Sequence, residues 1–295
     1  MVNRSGLSCR QLVLLCVLGG IFAGFAVAQG NPAIPPAPTP KPGDPVPAKD
    51  KGEKKPTPSP TPKGPVAITT GDQVAELAIF WYSLSGGRDR LNQIRKTTQE
   101  HGTTTFTEAD GKLNVATYNR FVMRGETLDK EKIRVDQEFS NVRYSLLYLD
   151  GKVSGLYNQT VFSPSDDVAK RFENQIVHGI EALLRYKENG STVALQPKEK
   201  LMGVDYWVVD LTDKEQRKTR YYVSAKTYRV MMLTYDEGGI TYKRKFYDYN
   251  YAQNTLVYSR TVLWAGEKQV EETEIGTITF GQHVDEDLFR VGPNG

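Results

Sequence analysis

Residues 199–235, EKLMGVDYWVVDLTDKEQRKTRYYVSAKTYRVMMLTY, decide the fold class. This stretch contains three runs rich in Tyr, Val and other apolar residues, at 204–211, 219–224 and 228–236, separated by charged or polar residues. β-Branched and aromatic residues in runs of this length are typical of strands. Because the separations are short, consecutive strands are expected to pair as antiparallel neighbours.

The same pattern continues on both sides of this stretch. Further strands are predicted at 96–107, 114–124, 132–138, 142–150, 152–157, 192–197, 240–251, 256–264 and 269–280. A sheet with about twelve strands must curl or split. The predicted fold class is therefore α+β and mainly β, with one strongly curved antiparallel sheet of about 11 to 12 strands.

Three helices are predicted beside these strands. The first begins with Asp72 as its N-cap and ends at Gly86-Gly87, and the second covers 88–95. A long central helix is expected between the start signal at 163–166 and the stop signal Asn189-Gly190. Its apolar stripe consists of Val168, Phe172, Ile176, Ile180, Leu183 and Leu184.

The first 65 residues have the composition of an export signal and a tether. Arg4 and Arg10 precede an apolar run at 12–25, and Ala26-Val27-Ala28 matches a signal-peptidase site. Cleavage near Ala28 would place the protein in the periplasm or outside the cell; an uncleaved inner-membrane anchor is the alternative, since the run is near the minimum spanning length. Residues 29–65 hold 13 of the 16 prolines and are expected to form a disordered, extended linker. The folded domain is assigned to 66–295.

The composition of that domain excludes several classes of function. Eight basic and three acidic residues precede Val66, which leaves 30 basic and 32 acidic residues and does not favour nucleic-acid binding. Both cysteines lie within 1–28, and none of the three histidines has metal-ligand spacing to another. No catalytic residue, metal or cofactor is therefore expected. His178 is predicted to be a partly buried helix residue, whereas Lys243-Arg244-Lys245 and Glu271-Glu272 are predicted to be solvated.

Two segments together resemble LolA-like proteins, the outer-membrane lipoprotein-sorting family. In WYSLSGGRDRLNQIRKTTQEHG, residues 81–102, a helix is followed by a Gly-Gly break, a short Leu-bearing helix and a first strand. In residues 199–235, a Gly precedes a strand, a charged turn follows, and a Tyr-Tyr-Val strand leads into another apolar strand. The resemblance covers about 72–291 and rests on the order and spacing of these features.

Membership of this family implies an unclosed barrel whose helices lid a hydrophobic cavity for acyl chains, without catalysis. It also implies a buried arginine that governs lid opening, for which Arg120 and Arg124 are candidates by region. A hinge of the lid is expected at Ser163-Pro164 and Asn189-Gly190. The residues expected to line the cavity are Phe121, Met123, Tyr144, Leu146, Phe172, Ile176, Ile180, Trp207, Val209, Met231 and Leu233.

The predicted function is thus a periplasmic carrier or sorting protein that binds lipid or lipoprotein acyl chains. Its expected partners are the acyl chain, an envelope protein and, peripherally, a membrane surface, but not nucleic acid. The alternative is a non-catalytic envelope scaffold or sensor domain held by the Pro-rich tether. Co-purified lipid would separate the two functions.

Overall fold

A computed structural model of the chain describes residues 67–290. The predicted leader at 1–28 and linker at 29–65 lie outside the described residues. Within the described part, no helix combines the length and the apolar character needed to cross a bilayer.

Thirteen strands of the described residues form one antiparallel sheet. Their bounds are β1 Thr97–Thr107, β2 Leu113–Met123, β3 Lys132–Glu138, β4 Arg143–Leu149, β5 Lys152–Tyr157, β6 Thr160–Phe162, β7 Thr192–Leu201, β8 Val204–Thr212, β9 Lys218–Ser224, β10 Val230–Glu237, β11 Ile240–Ala252, β12 Thr255–Ala265 and β13 Lys268–Phe280. The order across the sheet is β6-β5-β4-β3-β2-β1-β13-β12-β11-β10-β9-β8-β7. Because β6 and β7 do not pair, the curved sheet stays open, and the predicted fold class is confirmed.

One strand, β6, was not predicted from the sequence. It contains only three residues and pairs with β5 alone, from Gly155 opposite Phe162 to Tyr157 opposite Thr160. A strand this short is too brief to show alternation of apolar and polar residues. The other twelve strands lie within a few residues of their predicted positions.

Four α-helices accompany the sheet: α1 Gly71–Tyr82, α2 Gly87–Ile94, α3 Asp166–Val177 and α4 Ile180–Leu184. The N-cap of α1 is Thr70 and not Asp72, which lies in the first turn. The Thr70 hydroxyl accepts a hydrogen bond from the Gln73 backbone at 3.3 Å, and the Gln73 side chain accepts one from the Thr70 backbone at 3.1 Å. Since this reciprocal pair is a capping box, it fixes the start of α1 more strongly than Asp72 would.

The central helical segment is present and is divided at Gly179. This residue has extended backbone angles, φ −76° and ψ 172°, so α3 and α4 are separate helices. A Cβ at this position would lie 2.7 Å from the Gln175 carbonyl oxygen. The Tyr221 hydroxyl donates a 2.8 Å hydrogen bond to the Gly179 carbonyl and so attaches the break to β9. The discontinuity lies at Gly179, inside the predicted helix and between the two predicted hinge sites.

Two separate apolar clusters form the core. The first cluster joins α1 and α4 to strands β7–β12 and includes Ile79, Leu183, Val209 and Leu233. The second cluster joins α3 to strands β2–β4 and includes Phe172. The helices thus cover one face of the sheet with two apolar contacts that are distinct from each other.

Candidate functional site

A band of charged and phenolic side chains lies on the helix-covered face and borders its inner cavities. We call the following residues the polar band: Glu100, Tyr118, Arg120, Arg244, Tyr258 and Glu271. The Tyr118 hydroxyl donates to Glu100 Oε1 at 2.5 Å, and Arg244 Nη1 donates to Glu271 Oε1 at 2.9 Å. From α3, Gln175 donates to the second oxygen of Glu271 at 3.0 Å. The covered face is therefore not continuously apolar.

Burial of the polar band shifts the proton affinities of its members. Burial raises the pKa of the Tyr258 phenol to about 12, with Glu100 adding to the effect. Burial also raises the pKa of Tyr118, whose hydroxyl hydrogen-bonds Glu100. For Arg244, burial alone would lower the pKa, but the negative charge of Glu271 outweighs it and raises the pKa. At neutral pH Tyr118 and Tyr258 are therefore neutral phenols, and Arg244 carries its charge.

Two small cavities adjoin the polar band, with volumes of about 60 Å³ and about 80 Å³. Glu100, Arg120, Tyr258 and Ile275 line both of them. Arg120 therefore borders both spaces beneath the helices. Such volumes are well below the roughly 300 Å³ at which ligand pockets usually begin, so neither cavity has room for an acyl chain as it stands.

A cluster of five charged residues joins the helices to the sheet next to the 60 Å³ cavity. We call these residues the latch: Arg95, Arg124, Glu131, Glu181 and Arg185. Arg124, the residue directly after β2, lies 2.9 Å from Glu131 and 2.7 Å from Glu181 on α4. Arg95, after α2, also pairs with Glu181, and Arg185, after α4, pairs with Glu131.

The latch separates the interior from an outer cleft. Arg95, Arg124 and Glu181 line both the 60 Å³ cavity and a cleft of about 450 Å³ on the outside. Burial alone would raise the pKa of the Glu181 carboxyl, but Arg124 and Arg95 outweigh it and lower the pKa to about 2. Glu181 is therefore ionised over the physiological range, and the latch is closed by charge pairs.

A second cleft, of about 640 Å³, lies beside the break between α3 and α4. His178, the residue before Gly179, lines this cleft and is 6% exposed. Its ring stacks on Tyr235 at a centroid distance of 4.0 Å, and its Nδ1 lies 2.6 Å from the Thr219 hydroxyl oxygen. Burial, with a smaller contribution from Arg217, lowers the pKa of His178 to about 4. The histidine is thus neutral at pH 7 and holds the break against the sheet.

The residues predicted to line one cavity are divided among several places. Leu146, Phe172 and Ile176 lie in the second cluster, with Tyr144 packed against it. Ile180, Val209 and Leu233 lie in the first cluster, with Trp207 packed against it. Of these eight residues, Ile180 lines the 80 Å³ cavity.

The other three predicted lining residues lie elsewhere. Phe121 and Met123 alternate with Val122, which belongs to the second cluster, so they are on the opposite face of β2. Met231 lies at the register shift between Val230 and Met232 and is half-buried. The lining role of the eleven residues remains a prediction.

Two charged residues of the site are less exposed than the sequence predicted. Arg244 and Glu271 were expected in solvated runs, but Glu271 is 1% exposed and the two side chains pair with each other under α3. A usable signal existed, because Arg244 has the same strand phase as Phe246, a first-cluster residue. Glu181 and Arg95 carry no comparable signal, since their partners are distant in the sequence.

The open antiparallel sheet with helices over one face has the architecture of a LolA-like fold. Among solved structures, the chain is similar to a LolA superfamily protein from Nitrosomonas europaea, with a TM-score of 0.53 and 14% identity over 76% of this chain and 98% of that chain. It is also similar to a DUF1329 family protein from Desulfovibrio piger, with a TM-score of 0.54 and 12% identity over 75% and 97%. No protein-family model and no curated protein matches the sequence. At these identities the similarity establishes the fold, as the resemblance predicted.

Proposed function

We propose that the protein is an exported, non-catalytic carrier that binds an acyl chain of a lipid or lipoprotein between the sheet and its helices. The observation that carries this proposal is the polar attachment of α3, which adds two residues to the smaller apolar cluster and also meets the sheet through polar side chains. Next to it, the latch closes the small cavities by ion pairs with α4, which is itself packed in the first cluster. A cover held by exchangeable charge pairs can open and close, whereas one held by a continuous apolar core cannot open cheaply.

The contacts of α3 also favour a movable cover. Asn174 donates to Glu237, and Gln175 donates to Glu271 at 3.0 Å. At the surface, Lys170 lies 3.2 Å from Glu237. Water can replace each of these polar contacts when α3 moves away. Opening would join the cavities to the apolar side chains of the second cluster and provide room for a chain.

The first test is direct. Protein purified after expression with its native leader is extracted with organic solvent, and the extract is analysed by mass spectrometry for stoichiometric lipid. Delipidated protein is then titrated with a fluorescent fatty acid. Bound lipid and saturable uptake are the expected results. Absence of both would reject the carrier and leave the tethered scaffold or sensor domain as the remaining function.

The second test asks whether the cover must move. Lys170→Cys and Glu237→Cys place the two thiols where an ion pair now joins α3 to β10, and residues 67–290 contain no other cysteine. A short reducible bismaleimide linking them should abolish uptake, and reduction of the linker should restore it. The matched control links Arg260→Cys on β12 to Glu272→Cys on β13. In the wild type these two residues form an ion pair at 2.9 Å within the sheet, so their crosslink should leave uptake unchanged. Uptake that survives the α3 crosslink would contradict a moving cover.

A further inference from the structure

We propose that Arg120 binds the anionic group of an amphipathic ligand, a carboxylate or a phosphate attached to an acyl chain, inside the half-barrel. This inference rests on the proposed function and specifies the ligand class of the same site. It differs from a lid role for Arg120, because Arg120 takes no part in the ion pairs of the latch.

The strand register aims Arg120 into the interior. On β2, Arg120 shares its phase with Tyr118 and Val122, which belong to the second cluster. On β1, Glu100 is its directly paired neighbour. Arg120 also lines both the 60 Å³ and the 80 Å³ cavities. The guanidinium group therefore borders the spaces that an occupant of the half-barrel would enter.

Arg120 differs from the other interior arginines in having no partner within 67–290. Its Nε is buried without a hydrogen bond in the part of the chain that is described. Arg95, Arg124, Arg185 and Arg244, in contrast, each pair with a glutamate. Glu100, the nearest candidate, instead accepts the Tyr118 hydroxyl. A buried guanidinium nitrogen that lacks a hydrogen-bond partner is costly to retain, and an external anion bound by the group would offset that cost.

The surroundings of Arg120 specify an amphipathic ligand. Guanidinium binds carboxylate and phosphate through paired hydrogen bonds, so either head group fits. The 60 Å³ cavity next to Arg120 also has an apolar wall formed by Val122, Leu256, Val257, Ile275, Ile278 and Phe280. A small inorganic anion would leave this wall without contacts. An acyl chain attached to the anion would cover it.

The test compares ligands that differ only in the head group. Delipidated full-length protein is titrated with palmitate, hexadecyl phosphate, uncharged hexadecanol, acetate and inorganic phosphate. The variants are Arg120→Met and Arg120→Lys. Arg120→Met has a long side chain without the charge, and Arg120→Lys keeps the charge without the paired hydrogen-bond donors of the guanidinium group. The control variant is Arg143→Met, which removes an exposed arginine from β4.

The expected result is selective. Arg120→Met should weaken the binding of palmitate and of hexadecyl phosphate by about tenfold or more, as expected for the loss of a charged hydrogen bond. The affinity for hexadecanol should stay within about twofold of the wild type. The affinity of Arg120→Lys for the two charged ligands should lie between those of Arg120→Met and the wild type. The affinities of Arg143→Met should equal those of the wild type. Unchanged hexadecanol binding shows that Arg120→Met is folded.

Other outcomes separate the two proposals. Equal weakening of charged and uncharged chains, or none, would overturn the role of Arg120 while hexadecanol binding still supports the carrier. Tight binding of acetate or phosphate alone, lost in Arg120→Met, would replace the amphiphile with a small anion and also overturn the inference. If no chain-bearing probe binds the wild type, the carrier proposal fails and takes the inference with it.

Discussion

The two apolar clusters hold their helices in different ways. The first cluster contains twenty buried residues and includes five from α1, whereas the second contains eight, of which α3 supplies two. Several other contacts of α3 are polar, as with Gln175 and Glu271. The comparison shows that α1 is held mainly by apolar packing, whereas polar contacts make up a larger share of the attachment of α3 to the same sheet. In the proposed carrier, α1 and α4 pack with their strands in the first cluster as the fixed wall, and α3 forms the cover.

The largest expected effect breaks the fixed wall. Leu233→Ala removes a side chain with no exposure from the first cluster, and Leu146→Ala makes the same change in the second, where Leu146 is 4% exposed. We expect a loss of about 4 kcal/mol for Leu233→Ala and about 2 to 3 kcal/mol for Leu146→Ala, because the looser surroundings of Leu146 can collapse into the gap. Urea unfolding measures both. A larger loss for Leu146→Ala would reverse the assignment of wall and cover.

The next effect opens the latch. Glu181→Gln leaves Arg95 and Arg124 without their shared carboxylate and should cost about 3 kcal/mol in the free energy of unfolding at pH 7. The control Glu272→Gln removes an ion pair with the more exposed Arg260 and should cost less than about 1 kcal/mol. Uptake of a fluorescent fatty acid should become faster in Glu181→Gln alone. A slower uptake would show that the latch does not restrain the cover.

The same carboxylate predicts an acid-dependent loss of stability. The folded-state pKa of Glu181 is about 2 against an ordinary value of 4.5, so the unfolded state binds the proton more readily. The stability from this group is complete above about pH 4.5 and disappears as the pH falls towards 2. Glu181→Gln should therefore show a flatter dependence of the urea midpoint on pH in that window than the wild type does. Parallel profiles would assign the acid sensitivity to other groups.

The sequence predicted the sheet better than the site, for a physical reason. Alternating Tyr, Val and Thr residues reveal a strand within a few positions, so twelve of the thirteen strands were located. The break at Gly179 was not located, because Ile176, Ile180 and Leu183 continue the apolar spacing across it. Its cause is a tertiary contact, the hydrogen bond from Tyr221 on β9.

The latch and the polar band were largely unpredictable for a related reason. Glu181 meets Arg95 from 86 positions away in the sequence, and the distance along the chain carries no signal of the pairing. Charged residues also look alike whether they are solvated or paired inside, as Glu271 shows. Strand phase was the one local indicator, and it pointed inwards for Arg120 and Arg244.

A smaller effect concerns the junction of the cover. His178 has a folded-state pKa of about 4 against an ordinary value of 6.5, so its unfolded form binds the proton more readily. The stability that this buried, neutral ring contributes is complete above about pH 6.5 and is lost as the pH falls to 4. We expect the free energy of unfolding to fall by about 2 kcal/mol across this range. In His178→Phe this pH dependence should be absent, while the ring can still stack on Tyr235. Urea midpoints between pH 7 and pH 4 measure the difference, and identical slopes would contradict it.

The smallest effect sharpens the comparison from the side of the wall. The Tyr82 hydroxyl, at the end of α1, lies 3.0 Å from the Tyr249 hydroxyl, which donates to the Val230 carbonyl. Tyr82→Phe should therefore cost about 1 kcal/mol. Tyr247→Phe is the control, because its ring lies 4.3 Å from Arg260 and its hydroxyl has no hydrogen bond within 67–290. Fatty-acid uptake should be unchanged in both variants, since a wall that stays in place can lose stability without changing how fast the cover opens. Faster uptake in Tyr82→Phe would mean that α1 moves with α3, and the division into wall and cover would then be wrong.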